Sequence, residues 1–563
     1  MLVYGDRSEQ ADAAARLAEL RADIADLGET PPGLERHGRL VAALIEAGRL
    51  QQGVADADFA ACGSDRRCPA ADALGTLTLG LAQSVITSWE SGFAAALDLP
   101  PIPDVPLPAI VEMREAEGYA FYAVYPEAYA DAARALVLRG PPRVIGIRSI
   151  GTSLAAVAAA ALGAPPPATV RPTGHPFARR LSVAPDLAAH ILSDPAAHYV
   201  VVDEGPGLSG SSFGAVADWL EAQGVPLERI AFLPSHAGEP GAAASAPHRD
   251  RWQKVQRVAA DFGPRLGDLL AGWLGHAIGP LDAPLTEISG GAWRGHVYRD
   301  EADWPAADPQ SERRKFLATA HGETWLVKYA GLGRTGAHKL DRARTLHAAG
   351  LAPEPRALVN GFLVERWHGE AARGGRPPPG TVARYIGARA RLFPAAPGRG
   401  ATLPELLEMS RRNIGLALGE GAAARLQLPP GTPRPIETDN RLDLHEWVEA
   451  SPGRWLKTDA LDHHAAHDLI GCQDLAWDVA GAIVEFDIGE ADAAIFAASV
   501  ATAAGRAVDP ALTAFLLVAY SAFRLGQASL AADRAAGDPT ERARLDARMA
   551  FYSHRIRQAP ALA

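Results

Sequence analysis

Apolar residues recur at three- and four-residue spacing over 13–27 (AAARLAELRADIADL), the period of a helix that buries one stripe. The surrounding hundred residues are rich in Ala, Leu, Glu and Arg, so a helical N-terminal region is expected. Residues 99–108 (LPPIPDVPLP) break the period, because prolines lack an amide donor and fix φ. The stretch reads as a linker closing a region of 1–108. From Arg143 the texture changes. Short apolar runs (RVIGI, HYVVV, RIAFL) alternate with Gly/Ser loops and helical stretches (LAAVAAAALG, FGAVADWLEAQG), the order of βαβ units on a parallel sheet. This predicts an α/β domain over 109–250 that folds without the N-terminal helices. A third region, 280–563, opens with strand-like pieces (HVYRD, TWLVKYA, GFLVERW) and becomes mainly helical. Its Gly/Pro-rich stretches, 371–380 and 394–402, read as internal loops.

With 563 residues, 48% of them hydrophobic, the chain can bury several cores. The formal net charge of -11 argues against a nucleic-acid binder, which needs a clustered basic surface. Cys62, Cys68 and Cys472 match neither a four-ligand zinc spacing nor a disulfide framework and read as reduced thiols. Charged Arg7 and Glu9 precede any apolar run, and the longest late run, 512–523, is shorter than the roughly 20 residues that span a bilayer. The expectation is a cytoplasmic protein with small-molecule substrates, no nucleic-acid and no membrane partner. A homo-oligomer stays open.

The sharpest chemical signal is VVVDEGPGLSGSSF at 200–213. Three β-branched residues make a buried strand, Asp203 and Glu204 stand at its carboxyl end, and a Gly/Ser loop opens a helix. Ligands bind at that end of open α/β sheets, and loop amides beside a helix N-terminus suit a phosphate. Two acids there make sense if they accept hydrogen bonds from sugar hydroxyls or face magnesium.

This arrangement resembles the phosphoribosyl pyrophosphate loop of type I phosphoribosyltransferases. The resemblance implies an α/β parallel-sheet fold, ribose-binding acids Asp203 and Glu204, and a phosphate loop of Gly207, Ser209, Gly210, Ser211 and Ser212. Upstream, Arg148 to Ser153 (RSIGTS) follows the 144–147 strand. The same resemblance makes it the pyrophosphate loop, with Arg148 as charge contact and Ser149, Gly151 and Thr152 as donors. Residues 171–180 (RPTGHPFARR) fall where such enzymes carry a mobile hood. The implied reaction joins a phosphoribosyl group to a base-like acceptor as magnesium pyrophosphate leaves. Aromatics over 118–129 (GYAFYAVYPEAY) stack on that base or pack a core, and Ser235 and His236 are further acceptor contacts.

After residue 280 the order changes to a Gly-containing turn (Gly290, Gly291), a strand lysine (Lys328), a helix carrying Asp341 and a hinge strand with Glu365. This resembles aminoglycoside-phosphotransferase-like kinases, an α+β fold, and implies bound magnesium ATP or GTP. LKTDA places Asp459 as a metal ligand, and GCQDLAWDVA places Asp478 as a buttress of the catalytic loop. In DNRLDLH the base is either Asp439 or Asp443. Five residues on, where the family holds its metal-binding asparagine, stand Leu444 or Val448, which leaves Asn440 as a displaced ligand. His463 and His467, four apart, would align as a metal pair on a helix. The expected function is a phosphoribosyltransferase fused to a small-molecule phosphotransferase. The rival is a non-catalytic sensor of phosphoribosyl pyrophosphate and a nucleotide.

Overall fold

The computed structural model describes residues 1–5, 7–369, 372–373 and 375–559. Five strands lie in parallel in the spatial order Ala168–Val170, Pro142–Ile147, His198–Val202, Ile230–Leu233, Gln256–Arg257. Counted along the chain this order is 2-1-3-4-5, a doubly wound sheet whose direction of winding reverses between the Pro142–Ile147 and His198–Val202 strands. The His198–Val202 strand is buried throughout, as a strand covered on both faces must be. One face (Val144, Val200, Val202, Ala231, Leu233) joins Leu154 and Val157 of the Gly151–Leu162 helix; the other (Ile145, Val201, Phe232) packs on Phe213, Val216, Leu220 and Trp252.

The expected boundary at 108 is not a boundary. Helices Leu34–Cys62 and Pro69–Glu90 bury their apolar stripes in the same core as the sheet and the Gly151–Leu162 helix. Gly48 lets two of these helices touch, since a Cβ there would stand 2.7 Å from the Ser153 Cβ. Residues 99–108 form neither helix nor strand, as expected, but Leu99, Ile102 and Leu107 pack on the core. They strap it rather than link two bodies. On either side of that stretch, Ser8–Asp12 pairs antiparallel with Ile110–Arg114.

The third region begins with an antiparallel sheet, Thr286–Glu287, Lys315–Ala320, Glu323–Tyr329, Phe362–Arg366, Pro355–Val359. The expected return strand at 296–300 is absent; a 3-10 turn at Ala292–His296 stands there. Alternation along Glu323–Tyr329 buries Trp325, Val327 and Tyr329 and leaves Leu326 and Lys328 on the half-buried face. The buried face joins the core of the parallel sheet, and the Tyr329 hydroxyl donates to the Tyr119 carbonyl at 2.6 Å. Helices Leu403–Leu418, Leu475–Glu485, Pro510–Arg534 and Pro539–Gln558 build a second core. The chain start reaches into it: Val3 is buried there, and its carbonyl accepts from the Leu469 amide at 2.9 Å. Within the expected 371–380 loop, residues 371 and 374 lie outside the described residues, and a helix begins at Pro379. The late apolar stretch is longer than its sequence suggests. Helix Pro510–Gly537 has the length and hydropathy to cross a membrane, and 78% of its apolar window is buried inside the molecule.

Candidate functional site

Asp203 and Glu204 stand at the carboxyl end of the central strand, beside the point where the winding reverses. The Tyr129 hydroxyl fixes the Asp203 carbonyl at 2.9 Å, and the Ser235 hydroxyl and amide both donate to the Glu204 carbonyl, at 2.7 and 3.0 Å. Ser235 therefore holds the loop rather than an acceptor. Burial raises the Asp203 carboxyl to about 7, against the pull of Arg179 and Arg171. Burial, with Glu117 and Asp203 nearby, raises Glu204 to about 8. Gly207 and Gly210 turn the loop with φ of +61° and +62°, a region that costs glycine little.

Other parts of the expected phosphate machinery are committed elsewhere. The Arg148 guanidinium is buried against Asp56 at 2.9 Å and Asp65 at 2.5 Å, both from the N-terminal helical region. It is a structural clamp, not a pyrophosphate contact. Ser209 and Ser211 donate their hydroxyls to the Pro176 carbonyl at 3.1 and 2.7 Å. Pro176 lies at the tip of the hairpin Thr173–His175, Ala178–Arg180, so these serines tie the hairpin that occupies the 171–180 segment to the loop. Gly151 is needed for packing, since a Cβ would stand 2.7 Å from the Val202 carbonyl oxygen. Thr152 is sealed, its hydroxyl without a partner. Ser149 and Ser212 are only half-buried. Of the 118–129 aromatics, Tyr119, Phe121, Tyr125 and Tyr129 are core, and only Tyr122 is exposed, at 45%.

A second site lies between the antiparallel sheet and the helical region after it. Lys328 donates across the gap to Asp459 Oδ1. Burial would lower the Lys328 ammonium's pKa, but Asp459 and Asp462 outweigh it and hold it above its ordinary value; Asp459 is held low in turn by Lys328 and His463 against its own burial. A cavity of about 100 Å³ lined by Ile288, Trp293, Leu326, Glu365 and Trp367 shares Lys328 and Asp459 with a cleft of about 510 Å³. Gly290 and Gly291 form the overlying turn with positive φ, closed on itself by the Gly291 amide on Glu312 at 3.1 Å. Thus Lys328, Glu365 and Asp459 line one cavity, whereas Gly290 and Gly291 are not among its lining residues. The helix Gly333–Ala348 departs from expectation: Asp341 is exposed, while Lys339 turns inward to Asp462 at 3.0 Å. Burial brings Lys339 down to about 8 despite that partner.

Neither expected base is available. Asp439 is sealed among Tyr385, Lys457 at 3.2 Å and His463 at 3.1 Å. Asp443 reaches the cleft but is held by Arg524 at 2.8 Å and Arg548 at 2.7 Å. These cations overcome burial and keep both carboxyls ionised far below the ordinary range. Asn440 is pinned, its backbone amide donating to Asp478 at 3.0 Å and its Nδ2 to the Gly471 carbonyl at 2.7 Å; its Oδ1, the atom that could ligate a metal, is buried without a partner, and Asn440 does not line the cleft that Asp459 lines. Asp478 also accepts from the Asp439 amide at 2.8 Å, the buttress the sequence implied. His463 and His467 do not align. His463 opens a 3-10 turn, whereas His467 stacks on Tyr4.

Sequence reasoning missed Glu446 and Arg441. Glu446 lies directly before the Trp447–Ser451 strand, lines the cleft, and is raised by burial to about 7. Counting the five-residue spacing back from it gives Arg441, a guanidinium where the resemblance expects an aspartate, paired with Asp468. Anchoring the count on the strand instead of on an aspartate would have found both. Asp459, Asp462 and His463 each offer an atom within 4.8 Å of the others. Magnesium prefers oxygen ligands, so the two aspartates fit it.

No known protein-family signature matches this chain, and no curated protein does. Among solved structures, it is similar to spectinomycin phosphotransferase in complex with ADP and spectinomycin (11% identity, 52% of this chain and 98% of that one, TM-score 0.35). It is also similar to choline kinase from Streptococcus pneumoniae (13%, 43% and 89%, TM-score 0.30) and to macrolide 2'-phosphotransferase type I (16%, 50% and 96%, TM-score 0.32). What the cleft can do is read from its own side chains.

Proposed function

We propose that the chain is a small-molecule phosphotransferase with a nucleoside triphosphate in the Lys328–Asp459 cleft. The observation that carries this reading is the ion pair itself: a strand lysine and an aspartate from the opposite side meet where a small cavity lined by Trp293 and Trp367 adjoins a wider cleft. Lys328 binds phosphate oxygens. Asp459 and Asp462 would hold magnesium, which neutralises charge on the transferring group. Arg313 and Arg441 add positive charge along the cleft wall. Asp439 acts as a positioning residue by accepting from His463 Nδ1. Lys328→Ala and Asp459→Asn should each weaken magnesium ATP or GTP binding about ten- to a hundredfold, the size of a lost charged hydrogen bond. Their double variant should lose less than the sum. Absence of any thermal shift of the wild type with either nucleotide at millimolar concentration would reject the reading.

A second reading concerns the 203–212 loop. The acids stand at the switch point of a doubly wound sheet, and this place supports a bound phosphoribosyl group, with Asp203 and Glu204 accepting from ribose hydroxyls. Phosphoribosyl pyrophosphate with magnesium is the proposed substrate there. Calorimetric binding without pyrophosphate release would favour the sensor over the transferase.

A further inference from the structure

The 510 Å³ cleft does not stop at the phosphotransferase residues. Its wall also includes Leu208, from the tip of the Asp203–Glu204 loop, and Tyr122. Both are large and exposed, at 70% and 45%, where a folded surface normally keeps such side chains singly and without consequence. Here they face the same space as Lys328 and Asp459.

A short segment connects the two sites. At one end, Gly118 lies so close to Glu204 that a Cβ on it would stand 2.9 Å from Glu204 Oε2. At the other, the Phe121 carbonyl accepts from Arg313 at 3.4 Å, and the Arg313 guanidinium covers the Phe121 ring at 4.6 Å. Arg313 then reaches Asp462 at 3.8 Å, next to the proposed magnesium position. The route from Glu204 to Asp462 thus runs through residues 118–122 and one arginine. The cleft volume falls within the range of sites that enclose one small ligand.

We propose that the two sites are the two ends of one chamber, and that the phosphoryl acceptor of the Lys328–Asp459 cleft is a phosphorylated pentose, or a molecule carrying one, standing on the 203–212 loop. This rests on both readings given above. An acceptor hydroxyl oxygen forms the new bond to the γ-phosphorus; the bond from that phosphorus to the β–γ bridging oxygen breaks, the nucleoside diphosphate leaves with its electron pair, and the hydroxyl proton passes to solvent. The class of reaction that would supply this acceptor is pentosyl transfer at the loop. Tyr122 and Arg313, between the two ends, set the reach of the acceptor.

The test is calorimetric titration of the full chain with magnesium and a non-hydrolysable ATP analogue, with and without saturating ribose 5-phosphate. One chamber requires that each ligand change the other's dissociation constant by the same factor, expected to be at least fivefold. Arg313→Ala and Tyr122→Ala should bring that factor to within twofold of unity, and retained thermal midpoints would show that both variants are folded. If both ligands bind wild type and neither alters the other's affinity, the shared chamber is overturned while both site readings stand. Failure of the nucleotide analogue to bind overturns the phosphotransferase reading and the chamber with it. Binding of the analogue without ribose 5-phosphate overturns the loop reading and the chamber, leaving the phosphotransferase.

Discussion

Asp203 and Glu204 ordinarily ionise near pH 4 as free side chains, yet desolvation at the end of a covered strand holds them at about 7 and about 8. Between those limits the folded chain binds more protons than the unfolded one, so these two groups make stability fall as pH rises from about 4 to about 8. Asp203→Asn with Glu204→Gln removes that slope. The midpoint of the double variant should gain on wild type steadily from pH 5 to pH 8.5 in thermal scans, and a gap that stays constant with pH would show that the acids are not desolvated. The same variant should lose phosphoribosyl pyrophosphate binding. Arg148 is the opposite case, a buried cation whose removal strands Asp65, while Asp56 keeps its pair with Arg171. Breaking a buried pair from one side costs about 3–5 kcal/mol, so Arg148→Ala should shift the urea midpoint strongly downward. Adding Asp65→Asn should recover part of the loss, because the stranded charge is then gone. No recovery would mean that Arg148 acts through something other than Asp65.

At the scale of elements, the parallel sheet and the placement of Asp203, Glu204, Lys328 and Asp459 were legible in the sequence. Period and β-branching mark strands, and strand ends mark sites. The hydroxyl assignments were not legible, since a sequence does not say which carbonyl a buried serine will find; Ser209 and Ser211 found Pro176. Asp439 and Asp443 misled for a related reason. Their charge suggested chemistry, and only the fold shows lysine and arginines already neutralising it. The role of the first residues was equally hidden. Met1 to Tyr4 carry no periodic pattern, yet the Leu2 amide donates to Asn413 Oδ1 at 2.7 Å, and Val3 fills a gap in the second core. Deleting residues 1–4 exposes that gap and leaves Asn413 short of partners. Burial of a valine contributes about 1.5–3 kcal/mol, and hydrogen exchange in the Leu403–Leu418 helix should quicken in proportion. Unchanged protection there would show that the chain start is only laid on the surface.

For the whole molecule, the main departure from expectation is that its three regions share buried surface. Proline composition made 99–108 look like a divide, and composition cannot tell a free linker from a strap whose leucines point inward. One face of the parallel sheet, through Val144, Val200 and Val202, meets the same apolar cluster as Leu44, Leu50, Leu74 and Val85 of the N-terminal helices and Val327 and Phe362 of the antiparallel sheet. A fragment of residues 109–270 therefore leaves the apolar surface that meets 34–90 bare, and large apolar patches drive association. It should aggregate when produced alone and become soluble when residues 1–108 are supplied on a separate chain, because the Ser8–Asp12 pairing with Ile110–Arg114 gives the two pieces a matching edge. Light scattering during co-refolding measures the rescue, and Val111→Asp, which puts a charge into that buried junction, should abolish it. A 109–270 fragment that is monomeric, with a cooperative thermal transition of its own, would show that the parallel sheet is an independent domain after all.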